Sequence, residues 1–232
     1  DKSISIRWVL FSSLANGVSE AKNLLMSEDV MAAINAIRKL GIKTKLTKNV
    51  FKIYGKGIDG YKYKKNMIIN AKNSGTLGRL ILGLLINSTK PIKLIGDKSL
   101  SKRDFERVSN PLSKFGANFK LKNNKNLPLI INGASNLKPI KYFEKRGSAQ
   151  CKSAVIFGAF RSKGTTVIKA KKSRNHTELL CQHLKLPLTI KSKKEHDIIK
   201  IKNIKNIKKL NYEIPSDISS SAFFIALTAL NK

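Results

Sequence analysis

The chain has few of the residues that build disulfide frameworks or metal centres. Its 232 residues include two cysteines, Cys151 and Cys181, and three histidines. Two thiols cannot form a disulfide framework, and both lie within apolar helical patterns without metal-ligand spacing. We therefore expect both thiols to be buried, reduced and structural, and we expect no metal centre.

Long hydrophobic runs are also missing. No apolar run reaches the roughly 20 residues that a transmembrane helix needs, and the opening "DKSISIRW" has neither a signal-peptide core nor an initial Met. These features predict a cytoplasmic protein that does not use a membrane, with a clipped N-terminus. With 41% hydrophobic residues, the chain is long enough to bury one sizeable core or two small ones.

Arginine and aromatic residues are scarce, although the net charge is +32. Only 8 of the 46 basic residues are Arg, and aromatics make up 7% of the chain. Nucleic-acid sites favour clustered Arg interleaved with aromatic residues, whereas these lysines are spread over nearly every segment. The pattern predicts a solvating lysine coat whose field helps to capture small anions. A non-catalytic, Lys-rich module that binds polyanions or nucleic acid remains the alternative hypothesis.

The sequence does contain a threefold repeat. Three stretches, which begin at Gly17, Thr89 and Gly164, each have the pattern of a strand, a Ser-capped helix and a hairpin of two alternating strands. The expected caps are Ser27, Ser101 and Ser173. The apolar positions expected to be buried are Val30, Met31, Ile34 and Ile37 in the first helix, Phe105, Val108 and Leu112 in the second, and Leu179, Leu180 and Leu184 in the third.

A second kind of helix separates the repeats. The segments are "SISIRWVLFSSLANG" from Ser3, "SGTLGRLILGLLINS" from Ser74, "SAQCKSAVIFGAFRS" from Ser148 and "SDISSSAFFIALTAL" from Ser216. They are apolar on most faces, which predicts that they are buried. The predicted fold class is therefore α/β (α+β), with one domain of three βαβαββ repeats around buried helices. The fourth such helix begins a further unit that is largely absent.

The starts of these helices have the character of anion sites. Gly147, Ser148, Ala149 and Gln150 precede an apolar run and are surrounded by Lys145, Arg146 and Lys152. The first turn of a helix presents unpaired N–H groups and the positive end of the helix dipole. The cations Lys2, Arg7, Arg79, Arg103 and Arg174 stand at or near comparable helix starts, where cations are unfavourable without an anion. Their recurrence favours phosphate binding.

Six tracts together resemble a known family. In chain order they are "DKSISIR", "NSGTLGRL", "GDKSLSKRDFERVSNPLSKFGA", "GSAQCKSA", "KSRNHTELL" and "IPSDISSSAFF". They resemble the signature tracts of the 5-enolpyruvylshikimate-3-phosphate synthase family, and they do not resemble the nucleotide-sugar motifs of the related enolpyruvyl transferase of cell-wall synthesis. The resemblance implies the enolpyruvyl transferase fold. Residues 1–213 would form the three-repeat lobe that binds shikimate 3-phosphate, and residues 214–232 would form the first helix of a truncated second lobe.

The resemblance also implies an activity. Members of the family move the enolpyruvyl group of phosphoenolpyruvate to the 5-hydroxyl of shikimate 3-phosphate and release phosphate, on the route to chorismate and the aromatic amino acids. They need no cofactor, and their partners are these two small anions. The complete enzyme is expected to be a monomer and a target of glyphosate. The chain alone is expected to be inactive, because the second lobe carries the proton-transfer groups.

Site residues follow from the resemblance, position by position. Lys2 matches a catalytic Lys that contacts both substrates. The residues implied for shikimate 3-phosphate are Lys2, Ser3, Arg7, Ser148, Ala149, Gln150 and Arg174. The residues implied for phosphoenolpyruvate are Lys2, Asn73, Gly75, Thr76, Arg103 and Gln150.

Overall fold

Alternating apolar residues in the lysine-rich hairpins produce three small sheets in the computed structural model, which describes residues 1–231. The first unit contains α1 (Lys2–Leu14), β1 (Asn16–Lys22), α2 (Glu28–Lys39), β2 (Lys43–Thr47) and β3 (Val50–Lys56). The second contains β4 (Met67–Asn70), α3 (Gly75–Leu85), β5 (Ile92–Ile95), α4 (Lys98–Ser101), α5 (Glu106–Ser113), β6 (Asn118–Lys122) and β7 (Asn126–Asn132). The third contains β8 (Lys141–Glu144), α6 (Ala149–Ala159), β9 (Thr165–Lys171), α7 (His176–His183), β10 (Leu188–Ser192) and β11 (His196–Lys202). The chain ends with β12 (Tyr212–Glu213) and α8 (Ile218–Leu230).

The three sheets share one topology. Their strand orders are β12-β1-β3-β2, β4-β5-β7-β6 and β8-β9-β11-β10. In each sheet the first pair is parallel and the other two pairs are antiparallel. β12 therefore takes the place in the first sheet that β4 and β8 take in theirs, and the far end of the chain completes the first repeat. The predicted fold of three βαβαββ repeats is confirmed.

The helices α1, α3 and α6 form the centre of the core, because they are apolar on most faces. Phe11 of α1 lies with its ring centroid 5.0 Å from that of Phe157 on α6. Gly83 allows α3 to approach α6, since a Cβ at this position would lie 2.1 Å from the carbonyl oxygen of Ala154. The predicted burial of these three helices is confirmed, and their N-termini are brought together at one edge.

The fourth apolar helix, α8, differs from its prediction. None of its residues is buried, and Phe223 is 80% exposed. α8 follows β12, the last strand of the first sheet, and no sheet within residues 1–231 covers its apolar faces. The expectation that this helix is buried is therefore wrong for the described chain.

Serine caps two of the apolar helices. Ser74 Oγ accepts from the Leu77 N–H at 3.2 Å, and Ser148 Oγ accepts from the Cys151 N–H at 3.2 Å. Such caps stabilise a helix by about 1 kcal/mol. Ser27 occupies the N-cap position of α2, but its side chain makes no capping bond.

The caps predicted at Ser101 and Ser173 are wrong, and two of the apolar helices are capped by aspartate. Asp1 caps α1, and Asp217 caps α8. Ser101 ends the short helix α4, and Asn175 rather than Ser173 precedes α7. A carboxylate is a strong cap and also interacts favourably with the helix dipole.

Most of the predicted apolar stripes are buried, including Val30, Phe105, Val108 and Leu180. Leu179 is an exception and is 51% exposed, since the short helix α7 buries Thr177, Leu180 and Cys181 instead. Both cysteines are free and buried, as expected. Within residues 1–231, no helix combines the length and the apolar character that a bilayer crossing requires.

Candidate functional site

The start of α3 places two guanidinium groups over one glycine. Ser74 caps the helix, and Gly75 and Thr76 form its first turn. A Cβ on Gly75 would lie 2.9 Å from Arg79 Nη1 and 3.0 Å from Arg103 Nη1. The missing side chain therefore allows both cations to approach the backbone N–H groups at this helix start, an arrangement that suits an anion.

Asn73 fixes the position of Arg103. Its Oδ1 accepts from Arg103 Nη2 at 3.3 Å, and its Nδ2 donates to Asp97 Oδ2 at 2.8 Å. Asp97 in turn caps α4 by accepting from the Leu100 N–H at 2.7 Å. Because Asn73 and Arg103 are both exposed, this chain of bonds orients a cation that faces solvent.

Gln150 joins the start of α6 to the start of α3. Its Nε2 donates to Thr76 Oγ1 at 3.0 Å, and its Oε1 accepts from Arg79 Nη1 at 2.7 Å. Arg79 is buried against the ring of Phe105, with its Cζ 5.2 Å from the ring centroid. Burial, followed by the charge of Arg107, lowers the pKa of Arg79 to about 10, so this residue remains cationic at neutral pH.

The start of α6 is held from behind by a buried carboxylate. Glu144 Oε2 accepts from the Ser148 N–H at 2.7 Å, and Glu144 Oε1 accepts from the Arg146 N–H at 3.2 Å. Ser148 Oγ accepts the capping bond from Cys151, which leaves its own hydrogen available to an acceptor in front of the helix. Ala149 follows as the first helical residue and adds only a methyl group.

Arg7 ties three helices together. From α1 its Nε donates to Thr177 Oγ1 at 2.8 Å on α7, and its Nη2 donates to Ser153 Oγ at 3.2 Å on α6. Its Nη1 donates to the carbonyl oxygen of Ser3 at 3.0 Å. Burial is the main cause that lowers the pKa of Arg7 to about 10; Glu178 opposes this shift and Arg174 adds to it.

Lys2 and Arg174 make their contacts elsewhere. Lys2 Nζ forms an ion pair with Asp29 at 2.9 Å, and Arg174 Nη2 donates to Ser219 Oγ of α8 at 3.3 Å. Among the described residues, neither side chain hydrogen-bonds to another predicted site residue. The charge of Arg174 nevertheless contributes to the lowered pKa of Arg7.

The cluster therefore consists of two adjacent helix starts from different repeats. Asn73, Gly75, Thr76 and Arg103 surround one, Ser148, Ala149 and Arg7 support the other, and Gln150 touches both. Chemically, such a site can hold two anionic groups side by side and stabilise negative charge between them. Across residues 1–231, no group of three or more His, Cys, Asp or Glu side chains is placed to hold a metal ion.

Comparison with known proteins identifies the family. A family model described as EPSP synthase (3-phosphoshikimate 1-carboxyvinyltransferase) matches residues 1–232. The chain belongs to the EPSP synthase family. It is 40% identical over 233 residues to the 3-phosphoshikimate 1-carboxyvinyltransferase of Caldicellulosiruptor bescii, and 38% identical over 229 residues to that of Streptococcus agalactiae. These alignments cover 99% and 98% of this chain.

A solved EPSP synthase from Acinetobacter baumannii has a similar fold, with a TM-score of 0.88, 32% identity and coverage of 97% of this chain. The chain spans about half the length of its relatives: 53% of the Caldicellulosiruptor protein, 52% of the Streptococcus protein and 50% of the Acinetobacter structure. These relatives do not support the alternative hypothesis of a polyanion-binding module.

The sequence did not indicate several residues around these helix starts. Ser153 and Thr177 contact Arg7, and Glu178 forms an ion pair with Lys152 behind the helix starts. Arg79, which the sequence did indicate as a cation near a helix start, contacts Gln150. Lys152 was expected to be one of the cations around the start of α6, but it is fully buried.

Proposed function

We propose that the chain is the substrate-binding lobe of an enzyme that transfers the enolpyruvyl group of phosphoenolpyruvate to the 5-hydroxyl of shikimate 3-phosphate. The hydroxyl oxygen adds to the carbon that bears the phosphate ester, and elimination then releases inorganic phosphate and restores the double bond. Family membership, and the activity named for relatives about 40% identical, support this reaction.

The observation that carries the proposal is the double contact of Gln150. One amide side chain bonds Thr76 at the start of α3 and lies two residues after Ser148 at the start of α6. Two anion sites that share a side chain can place two anionic substrates next to each other, as a transfer between them requires.

Each helix start is assigned to one substrate. Asn73, Gly75, Thr76 and Arg103 would hold phosphoenolpyruvate at α3, and Gln150 would contact both substrates. The residues proposed for shikimate 3-phosphate are Ser3, Arg7, Ser148, Ala149 and Arg174. Lys2 would contact both substrates as the catalytic Lys, which requires its Nζ to leave Asp29; the pair is half-exposed, so its separation costs little.

The remaining assignments concern the complete protein. We assign residues 1–213 to the lobe and residues 214–232, of which 232 lies outside the described residues, to the first helix of a second lobe that carries the proton-transfer groups. The complete enzyme would be a cytoplasmic monomer that needs no cofactor, binds no nucleic acid and is inhibited by glyphosate.

An assay of the complete protein tests the proposal. Phosphate release should require both shikimate 3-phosphate and phosphoenolpyruvate, and NMR should detect an enolpyruvyl ether at the 5-oxygen. The same protein with Ser148→Ala and Arg174→Ala should lose most of this activity. A complete protein that releases no phosphate with both substrates, or that releases it equally with shikimate, would refute the assignment.

A further inference from the structure

A buried ion pair lies directly behind the α6 and α7 helix starts. Lys152 Nζ is 2.6 Å from Glu178 Oε1, and the two side chains are 0% and 2% exposed. Lys152 is in the first turns of α6, four residues after Ser148, and Glu178 is in the first turn of α7, four residues after Arg174. The pair therefore joins the two segments that carry Ser148 and Arg174.

A contribution to folding stability does not by itself explain this ion pair. A buried ion pair recovers its desolvation cost only when further hydrogen bonds satisfy the remaining atoms. Within residues 1–231, Glu178 Oε2 has no hydrogen-bond partner, and Lys152 Nζ makes no hydrogen bond with acceptable geometry beside the ion pair. Unsatisfied buried groups of this kind call for an explanation other than packing.

A second set of bonds runs parallel to the pair. Arg7 donates to Thr177 and Ser153, Thr177 Oγ1 donates to Ser153 Oγ at 2.7 Å, and Ser153 Oγ donates to the carbonyl oxygen of Ala149 at 2.7 Å. Ser153 follows Lys152 by one position, and Thr177 precedes Glu178 by one position. Hydroxyl groups can rotate and exchange partners, whereas an ion pair 2.6 Å long restricts the distance between its two helices.

The charges also favour an anion at this place. Arg7, Lys152 and Glu178 are all buried and together carry a net charge of +1. Glu178 serves both cations, since it pairs with Lys152 and its charge also acts on Arg7. Low-dielectric surroundings strengthen the attraction of this excess charge for an anion in front of the helix starts.

We propose that Lys152 and Glu178 are positioning residues that hold the starts of α6 and α7 at the separation needed to clamp the 3-phosphate of shikimate 3-phosphate. The inference rests on the proposed function and names the device that fixes its phosphate site. Neither residue touches the substrate; both act through the helices that carry Ser148, Gln150 and Arg174.

The test compares stability with affinity. The double variant Lys152→Met/Glu178→Leu removes both charges at similar volume, so its melting temperature should stay near that of the wild type, because apolar replacement of a buried pair is often neutral. Its affinity for shikimate 3-phosphate, measured by calorimetric titration, should fall at least about tenfold, since small displacements of a bound geometry are costly. The control Lys52→Gln/Glu20→Gln removes an ion pair of the same 2.6 Å length that is part-exposed on β3 and β1, and it should bind like the wild type.

A second variant provides the test if the double variant does not fold. Glu178→Asp keeps the charge but is one methylene shorter. The affinity for shikimate 3-phosphate should fall several-fold in this variant, while the melting temperature changes little. Wild-type affinity in a folded double variant, or in Glu178→Asp, would overturn the positioning role. A wild-type chain that does not bind shikimate 3-phosphate would overturn the proposed function as well, so the two failures are distinguishable.

Discussion

The starts of α3 and α6 share a local design but are supported in different ways. Both have a serine cap, and each is followed by a small residue, Gly75 or Ala149. At α3 the supporting bonds are exposed and mostly come from the same repeat, through Asn73 and Arg103. At α6 the supporting groups are buried and come from strand β8 and from the helices α1 and α7.

Because of this difference, substitutions at the two helix starts should have different effects on ligand affinity and on folding stability. Residues that orient Arg103 face solvent, so their loss should change ligand binding more than folding. Arg7 is buried within the core and bonds residues of two other helices, so its loss should affect both.

The largest effect is expected for Arg7→Ala. The change leaves Thr177 and Ser153 without a charged donor and removes a buried cation, so the free energy of unfolding should fall by about 3 kcal/mol. Binding of shikimate 3-phosphate should be lost, as measured by calorimetry. Arg38→Ala is the control, because Arg38 bonds Thr44 at 2.7 Å on the exposed face of α2. Unchanged affinity and melting temperature in Arg7→Ala would contradict the buried support of α6.

Gln150→Ala should have the next largest effect, because it breaks the link between the two helix starts. Arg79 loses an acceptor at 2.7 Å and Thr76 loses a donor. Loss of a bond to a charged group predicts a 10- to 100-fold weaker affinity for phosphoenolpyruvate in the complete protein, and a stability loss of about 1 kcal/mol. Gln182→Ala, on the exposed face of α7, is the matched control. If the two variants bind equally well, Gln150 does not couple the sites.

Gly75→Ala should affect α3 alone. The new methyl group would contact the guanidinium ends of Arg79 and Arg103. Because the ends of these side chains can move, the melting temperature should not change. Affinity for phosphoenolpyruvate should fall several-fold, inhibition by glyphosate should weaken at least as much, and shikimate 3-phosphate should bind as before. Kinetic constants of the complete protein provide the measurement, and an equal loss for both substrates would show that the two starts are not independent.

The smallest expected effect is the pH dependence of folding stability that comes from His176 in α7. Burial, followed by the charges of Arg7 and Arg174, lowers the pKa of His176 below its ordinary value of 6.5. Just below pH 6.5 the unfolded chain therefore binds more protons than the folded chain. The contribution of neutral His176 to the free energy of unfolding should be fully present above this pH and should decrease as the pH falls. NMR titration of the His176 ring should give a pKa below 6.5, and His176→Gln should flatten the acid side of the melting-temperature profile. A ring pKa at or above 6.5 would contradict the cationic surroundings described for α7.

Periodicity predicted most of the fold, because each repeat encodes it locally. Hairpin alternation indicated β2–β3 and β10–β11, and the all-round apolar pattern indicated α1, α3 and α6. The exposure of α8 could not be predicted, since its pattern is the same as theirs and burial depends on which sheet covers it. The pairing of β12 with β1 also depends on a contact across almost the whole chain.

The sequence tracts named residues that the structure brings together at the two helix starts, but they did not indicate the groups that support those starts. Asn73, Gly75, Thr76, Arg103 and Gln150 lie together as the resemblance implied. The buried partners Lys152 and Glu178 are 26 positions apart, and no local rule links a lysine on an apolar helix to a glutamate on the next helix. Their pairing required knowledge of how α6 packs against α7.

Recognition of the 3-phosphate by the α6 and α7 helix starts can be measured directly. Shikimate 3-phosphate is titrated calorimetrically into the chain at moderate salt, with shikimate, inorganic phosphate and the Arg174→Ala variant as controls. We expect saturable binding that disappears with shikimate and weakens in Arg174→Ala. Equal heats for every anion, decreasing steeply as salt rises, would instead indicate a non-specific lysine surface and contradict the claim.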